Sequence, residues 1–180
     1  MKLPTDQAIW QNAWVVPDAE EAAMQWVKNF NVGPFFVTEY GDDKLTDLVY
    51  RGQPGSLNIK VACSHAGPNQ IELIERLDDN PTPYSDTVPV GETRFHHVAA
   101  WTDDMDADLA HYASQGAESA ITGRVIDFVR FAYIDTQATL GCMVELVERH
   151  DDFSAMLREL ENICQNWDGK NPLREMPGLG

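Results

Sequence analysis

Apolar and polar positions along the chain change period twice, and in the same way each time. Residues 11–30, QNAWVVPDAEEAAMQWVKNF, open with a short apolar run, turn at Pro17-Asp18 and continue with apolar residues at helical spacing. Asp18 is placed to cap that helix, and Glu21 three residues later completes a capping-box pattern. Ala22, Ala23, Trp26, Val27 and Phe30 share one helical face. From His97, the stretch HVAAWTDDMDADLAHYASQG repeats the plan: an apolar run, a turn at Asp103-Asp104, then a helix. Met105, Leu109, Tyr112 and Ala113 form its buried stripe, and Gly116 stands where a C-terminal cap belongs. Strand-like material follows each helix and ends in a similar phrase, QIELIER at 70–76 and MVELVER at 143–149. Both phrases alternate apolar and polar residues with period 2, as a half-buried strand does.

The chain therefore reads as two copies of one unit: strand, helix, then about three strands. Aligning the copies sets Gln11 opposite His97 and Glu72 opposite Glu145. The first pair is 61 residues apart and the second 48, so the first copy is longer. The surplus falls around GDDKLTDLVYRGQPG, whose Gly, Asp and Pro break regular structure. After residue 150, DDFSAMLRELENICQNW reads as an amphipathic helix with Phe153, Met156, Leu157, Leu160 and Ile163 or Cys164 on one side, and DGKNPLREMPGLG as an irregular tail. The expected organisation is one domain over residues 1–150, with modules at about 8–78 and 92–150, and an appended segment at 151–180.

Composition narrows the function. At 180 residues and 43% apolar content, the chain can bury a core without disulfides. Its three cysteines, Cys63, Cys142 and Cys164, are far apart and form no CxxC, which points to reduced structural thiols. A net charge of −16 argues against nucleic acid and against anionic membrane surfaces. No stretch approaches the ~20 apolar residues of a membrane span. The opening MKLPTDQAIW lacks the apolar core of a signal peptide, so a cytoplasmic protein is expected.

Six phrases together, VVPDAEEAAMQW, NVGPFF, QIELIE, FHHVAAWTDD, FAYIDT and CMVELVE, resemble the vicinal oxygen chelate superfamily over roughly residues 8–150. That superfamily includes glyoxalase I, methylmalonyl-CoA epimerase, extradiol dioxygenases and bleomycin-resistance proteins. The resemblance implies an α+β fold in which two βαβββ modules form a curved, cup-shaped mixed sheet, here with a C-terminal helix added. It implies metal ligands on the first and last strand of each module, which map to Gln11, Glu72, His97 and Glu145. Strand alternation fits that mapping, because neighbouring side chains point to opposite faces and only one of His96 and His97 can enter the cup. Glu72 shares its face with Ile74, and His97 shares its face with Ala99 and Trp101. Two carboxylates converging near one histidine would repel each other unless a cation lay between them. His96, His65, His111 and His150 are taken as non-ligands, although His65 lies near a hairpin that could meet substrate.

A set of three oxygen donors and one imidazole suits one divalent metal with open positions, zinc first, with Mn, Co, Ni or Fe also accommodated. It resembles the eukaryotic-type glyoxalase I set more than the iron triad of the dioxygenases. The implied activity is polarisation of a carbonyl or vicinal oxygens of a small organic substrate, with proton abstraction beside the carbonyl, as in an epimerase, isomerase or lyase. Glu145 is the expected general base and Glu72 a second proton carrier. The alternatives are a drug-sequestering binding protein without catalysis and, further off, an extradiol-type dioxygenase. Trp14, Trp101, Phe35, Phe36, Phe131 and Tyr133 are candidates to line the cup. The apolar stripe after residue 150 is expected to pack on the outside of the sheet or on a second subunit, hence a homodimer.

Overall fold

A computed structural model describes residues 9–177. The first module runs β1 (Gln11–Val15), α1 (Ala19–Phe30), β2 (Phe35–Tyr40), β3 (Leu45–Tyr50), β4 (Gln53–Pro54), β5 (Ile59–Ala66) and β6 (Asn69–Arg76). A short helix, α2 (Pro83–Thr87), leads to the second: β7 (Arg94–Thr102), α3 (Met105–Ser114), β8 (Ser119–Val125), β9 (Val129–Ile134), α4 (Gln137–Leu140) and β10 (Met143–Glu148). Then come α5 (Asp151–Gln165) and β11 (Leu173–Glu175). Among the described residues no helix is long and apolar enough to cross a membrane.

The strands form one mixed sheet in the order β11-β2-β5-β6-β1-β7-β10-β9-β8-β3-β4. Within each module the first strand runs parallel to the last. β1 pairs Gln11 with Gln70 and Ala13 with Glu72; β7 pairs His97 with Met143 and Ala99 with Glu145. The two ladders match register for register, so the backbone reproduces the repeat alignment read from sequence. β1 and β7 join the modules as an antiparallel pair at the centre.

Both module helices begin where their aspartates dictate. The Asp18 carboxylate accepts from the Glu21 N–H at 2.8 Å and the Asp104 carboxylate from the Ala107 N–H at 3.0 Å, caps each worth about 1 kcal/mol. The helices cover the convex face. Ala19 and Ala23 of α1 pack with Phe35, Ala62, Ile71 and Leu73, while Met105 of α3 packs with Ala132, Ile134, Val144 and Leu146. Residues of the opposite parity, such as Ala13, Val15, Ile74, Tyr133 and Met143, fill the concave side, as period-2 alternation requires. Two helix-face expectations shift: Phe30 is 70% exposed, and Asp108 joins Met105 as a buried residue of α3 because its carboxylate takes the Thr102 hydroxyl. The three cysteines are free.

Three features depart further from expectation. The surplus segment is not a loop: β3 and β4 leave their own module, and β3 pairs antiparallel with β8 of the other, from Leu45 opposite Val125 to Tyr50 opposite Ile121. The tail is not wholly irregular, since β11 pairs parallel with β2 and covers its edge. Helix α5 does not pack on the outside of the sheet. Its stripe of Phe153, Met156, Leu157 and Leu160 turns into the concave side, with Ile163 and Cys164 packed on the inner core. The stripe that suggested a homodimer is thus half-buried within its own chain, with Leu160 fully buried.

The β3–β8 contact is tight. A Cβ on Gly123 would lie 2.5 Å from Leu48 Cδ2 and 3.1 Å from Phe131 Cε1. Gly123→Val should therefore cost about 1–3 kcal/mol in urea unfolding. Adding Leu48→Ala should cost less than the sum of the two single losses, because the alanine vacates the space the valine needs.

Candidate functional site

The site is built where β1 meets β7. Their register shifts between Ala13 and Trp14, so that Ala13 faces His97 while Trp14 faces Phe95. His96 is thus the extra residue of a β-bulge. The expectation that His96 and His97 point to opposite faces fails at this bulge. Both rings are fully buried, and their Nδ1 atoms lie 2.9 Å apart. The other face of the His96 ring reaches α2, where Nε2 sits 3.2 Å from the Pro83 carbonyl oxygen.

His97 turns its Nε2 toward the two predicted carboxylates. Glu145 Oε2 lies at 3.3 Å and Glu72 Oε2 at 3.4 Å. The approach is charge against charge, for among the described residues neither His97 Nε2 nor Glu72 Oε2 has a hydrogen-bond partner. Gln11 is buried as well. Its Nε2 donates to Gln70 Oε1 at 2.7 Å, which leaves Gln11 Oε1 buried and without a partner among the described residues. Gln70 in turn lies 3.5 Å from His65 Nε2, so His65 sits behind a candidate ligand rather than on the cavity surface.

Gln11, Glu72 and Glu145 line one cavity of about 100 Å³, and His97 stands immediately behind the two carboxylates. Among the described residues no group of three or more His, Cys, Asp and Glu side chains stands, as placed, in a geometry that would hold a metal ion. The donor chemistry nevertheless fits one. Three of the four expected ligands carry a buried atom with no hydrogen-bond partner among the described residues, and each such atom is a lone-pair donor or becomes one on deprotonation.

The aromatic lining differs from expectation. Phe131 and Tyr133 face the cavity. Trp14 and Phe35 pack under α1, Phe36 lies in the inner core away from the cavity, and Trp101 stacks on Trp10 with ring centroids 4.7 Å apart. Their places are taken by Trp10, Tyr40, Tyr84 and Phe153. Tyr84 comes from α2, whose hydroxyl bonds that of Tyr133 at 3.0 Å. Sequence did carry a signal for that helix: Thr82 caps it through Ser85, with Pro83 in the first turn.

With its fold and buried donor cluster described, the chain can be placed among known proteins. Residues 10–133 match the model of the Glyoxalase/Bleomycin resistance protein/Dioxygenase superfamily, and the chain belongs to that superfamily. No curated protein sequence matches it. Among solved structures, methylmalonyl-CoA epimerase from Mycobacterium tuberculosis is similar at 19% identity and a TM-score of 0.60, covering 86% of this chain and 95% of its own. A variant of the Streptomyces coelicolor methylmalonyl-CoA epimerase in complex with 2-nitronate-propionyl-CoA follows at 16% and 0.59, covering 80% and 95%. A hypothetical protein from Bacillus halodurans is similar at 16% and 0.56, covering 81% and 96%. At these identities the likeness is one of fold.

Electrostatics at the cluster follow from burial and charge together. Burial alone pushes the His97 imidazole down, but Glu145 and Glu72 outweigh it and raise the pKa to about 9. Burial pushes the Glu145 carboxyl up, against the opposing pull of His97. Without a metal, then, a proton on His97 is the cation between the carboxylates. Its stabilisation is fully present below the unfolded histidine value of ~6.5 and is lost as pH rises through about 9. Chelator-treated protein should show a falling urea midpoint between pH 6.5 and 9.5, and His97→Gln should remove that pH-dependent part.

Proposed function

We propose that the chain is a metal-dependent enzyme that removes a proton beside a carbonyl of a small, neutral organic substrate. The observation that carries this is the meeting of two carboxylates, Glu145 buried and Glu72 partly so, on one imidazole nitrogen, at 3.3 and 3.4 Å, against an apolar cavity. Gln11, Glu72, His97 and Glu145 would hold the ion. Bound there, a divalent cation supplies Lewis acidity toward a substrate oxygen. Zinc suits the donor set best.

The remaining chemistry belongs to the chain's own residues. Glu145 is the base: burial raises the proton affinity of its carboxyl, against the opposing pull of His97. Glu72, on the other side of His97, can accept or return a proton on the opposite substrate face, as an epimerase or isomerase requires. Tyr133 and Tyr84 orient the polar end of the substrate, while Phe153, Met156, Leu157 and Leu160 exclude water. Among the described residues no lysine or arginine lines the cavity, which argues for an uncharged reacting end. A volume near 100 Å³ is about that of three waters in bulk. Of a molecule as large as an acyl-CoA, only the acyl end would enter. Pairing of two chains is a separate proposal, which light scattering decides.

Protein purified without an affinity tag should carry about one divalent ion per chain by mass spectrometry. Chelation should remove the ion, and His97→Ala should abolish its binding. A panel of 2-hydroxy, 2-methyl-3-oxo and unsaturated lactone compounds in deuterated water should show uptake at the carbon beside the carbonyl. Glu145→Gln should slow that uptake ~10²–10⁴-fold while part of the metal is retained. Uptake at the parent rate in the variant would move the base to Glu72. Metal with no uptake in either protein would favour the non-catalytic binding role.

A further inference from the structure

His96 is a fully buried imidazole with no part in the ligand set, yet the bulge brings it onto the ligand. Each of its ring nitrogens has one partner. Nε2 lies 3.2 Å from the Pro83 carbonyl oxygen and Nδ1 lies 2.9 Å from Nδ1 of His97. A carbonyl can only accept, so the proton of a neutral His96 must sit on Nε2. Its Nδ1 is then a bare lone pair, and a lone pair can face His97 Nδ1 at that distance only if His97 carries a hydrogen there. With Nδ1 protonated, the remaining lone pair of a neutral His97 is on Nε2, the atom 3.3 and 3.4 Å from Glu145 and Glu72. The opposite order would set two lone pairs against each other at Pro83 and put the one proton of a neutral His97 on Nε2, the atom whose lone pair an ion between the carboxylates would need.

We propose that His96 is the positioning residue for His97: a relay from the Pro83 carbonyl through both imidazoles fixes the tautomer that presents His97 Nε2 to the ion. The proposal rests on the metal reading given under Proposed function. Metal-binding histidines ordinarily give their second N–H to a carboxylate, a backbone carbonyl or water. Here the acceptor is another imidazole, held neutral between a carbonyl and its neighbour. Three structural facts make this possible together: the bulge that turns His96 inward, the Thr82–Ser85 cap that sets α2, and the placing of Pro83 in the first turn of that helix. The ring is also packed on Tyr84 and Tyr133, with centroids 4.9 and 5.6 Å away, which leaves it little freedom to flip.

The test uses the full chain, freed of metal and then titrated with Zn²⁺ against a chromophoric chelator. His96→Leu keeps the bulk and removes the acceptor, and it should weaken Zn²⁺ binding ~10–100-fold. His96→Asn keeps an acceptor oxygen near the position of Nδ1 and should recover most of that loss. Long-range proton–nitrogen NMR of the unsubstituted, metal-free protein should find His96 protonated at Nε2 and bare at Nδ1, with His97 protonated at Nδ1. A His96 proton on Nδ1, or a His96→Leu protein that binds Zn²⁺ as tightly as the parent while His97→Ala does not, would overturn the proposal. If the parent itself bound no Zn²⁺, the metal reading would fall and the role of His96 with it. The NMR arm would still show whether the proton order stands, so the two failures are distinct.

Discussion

Two carboxylates cannot stay ionised side by side in an apolar cup unless something positive lies between them. Glu72 and Glu145 meet that constraint by converging on His97, and much of the architecture serves the convergence. Each glutamate is delivered by the last strand of a module. Both strands run parallel to their own first strand and carry the glutamate two residues on from the partner of Gln11 or His97. The antiparallel β1–β7 pair then brings the two modules face to face at the centre of the sheet. Remove the pseudo-symmetric register and the carboxylates would no longer share one partner.

Much of this was written in the period of the sequence. The capped helices, the alternation in QIELIER and MVELVER and the repeat alignment all depend on local rules, and local rules hold wherever the backbone is regular. His96 shows where they stop. Alternation assigns it to the convex face, but a bulge is a relation between two strands, and nothing in FHHVAAWTDD announces that β1 will skip a residue opposite it. The lining of the cavity was legible only in part for the same reason. Tyr84 and the α5 side chains reach the cup through tertiary docking, whereas Trp14 and Phe35, equally aromatic, were taken by the packing under α1.

The closure of the cup by α5 bears on chemistry as well as on packing. A low-dielectric roof strengthens every charge interaction beneath it, which is how one imidazole can be held protonated well above its ordinary range between two glutamates. It also restricts what can approach them. The apolar stripe of α5 therefore shields one side of the charged cluster from water.

The exchange of β3 and β4 between modules has a consequence for how the chain folds. Each module, taken alone, would be a nearly local structure. By sending Leu45–Tyr50 across to pair with Ile121–Val125, the first half supplies an edge that the second half lacks. Contacts some 75 residues apart in sequence must close before either half has its full sheet, which raises contact order and loop-closure cost. The repeat is still visible in the strand order, but the sheet is completed by strand pairing between the two halves, at β1–β7 and at β3–β8.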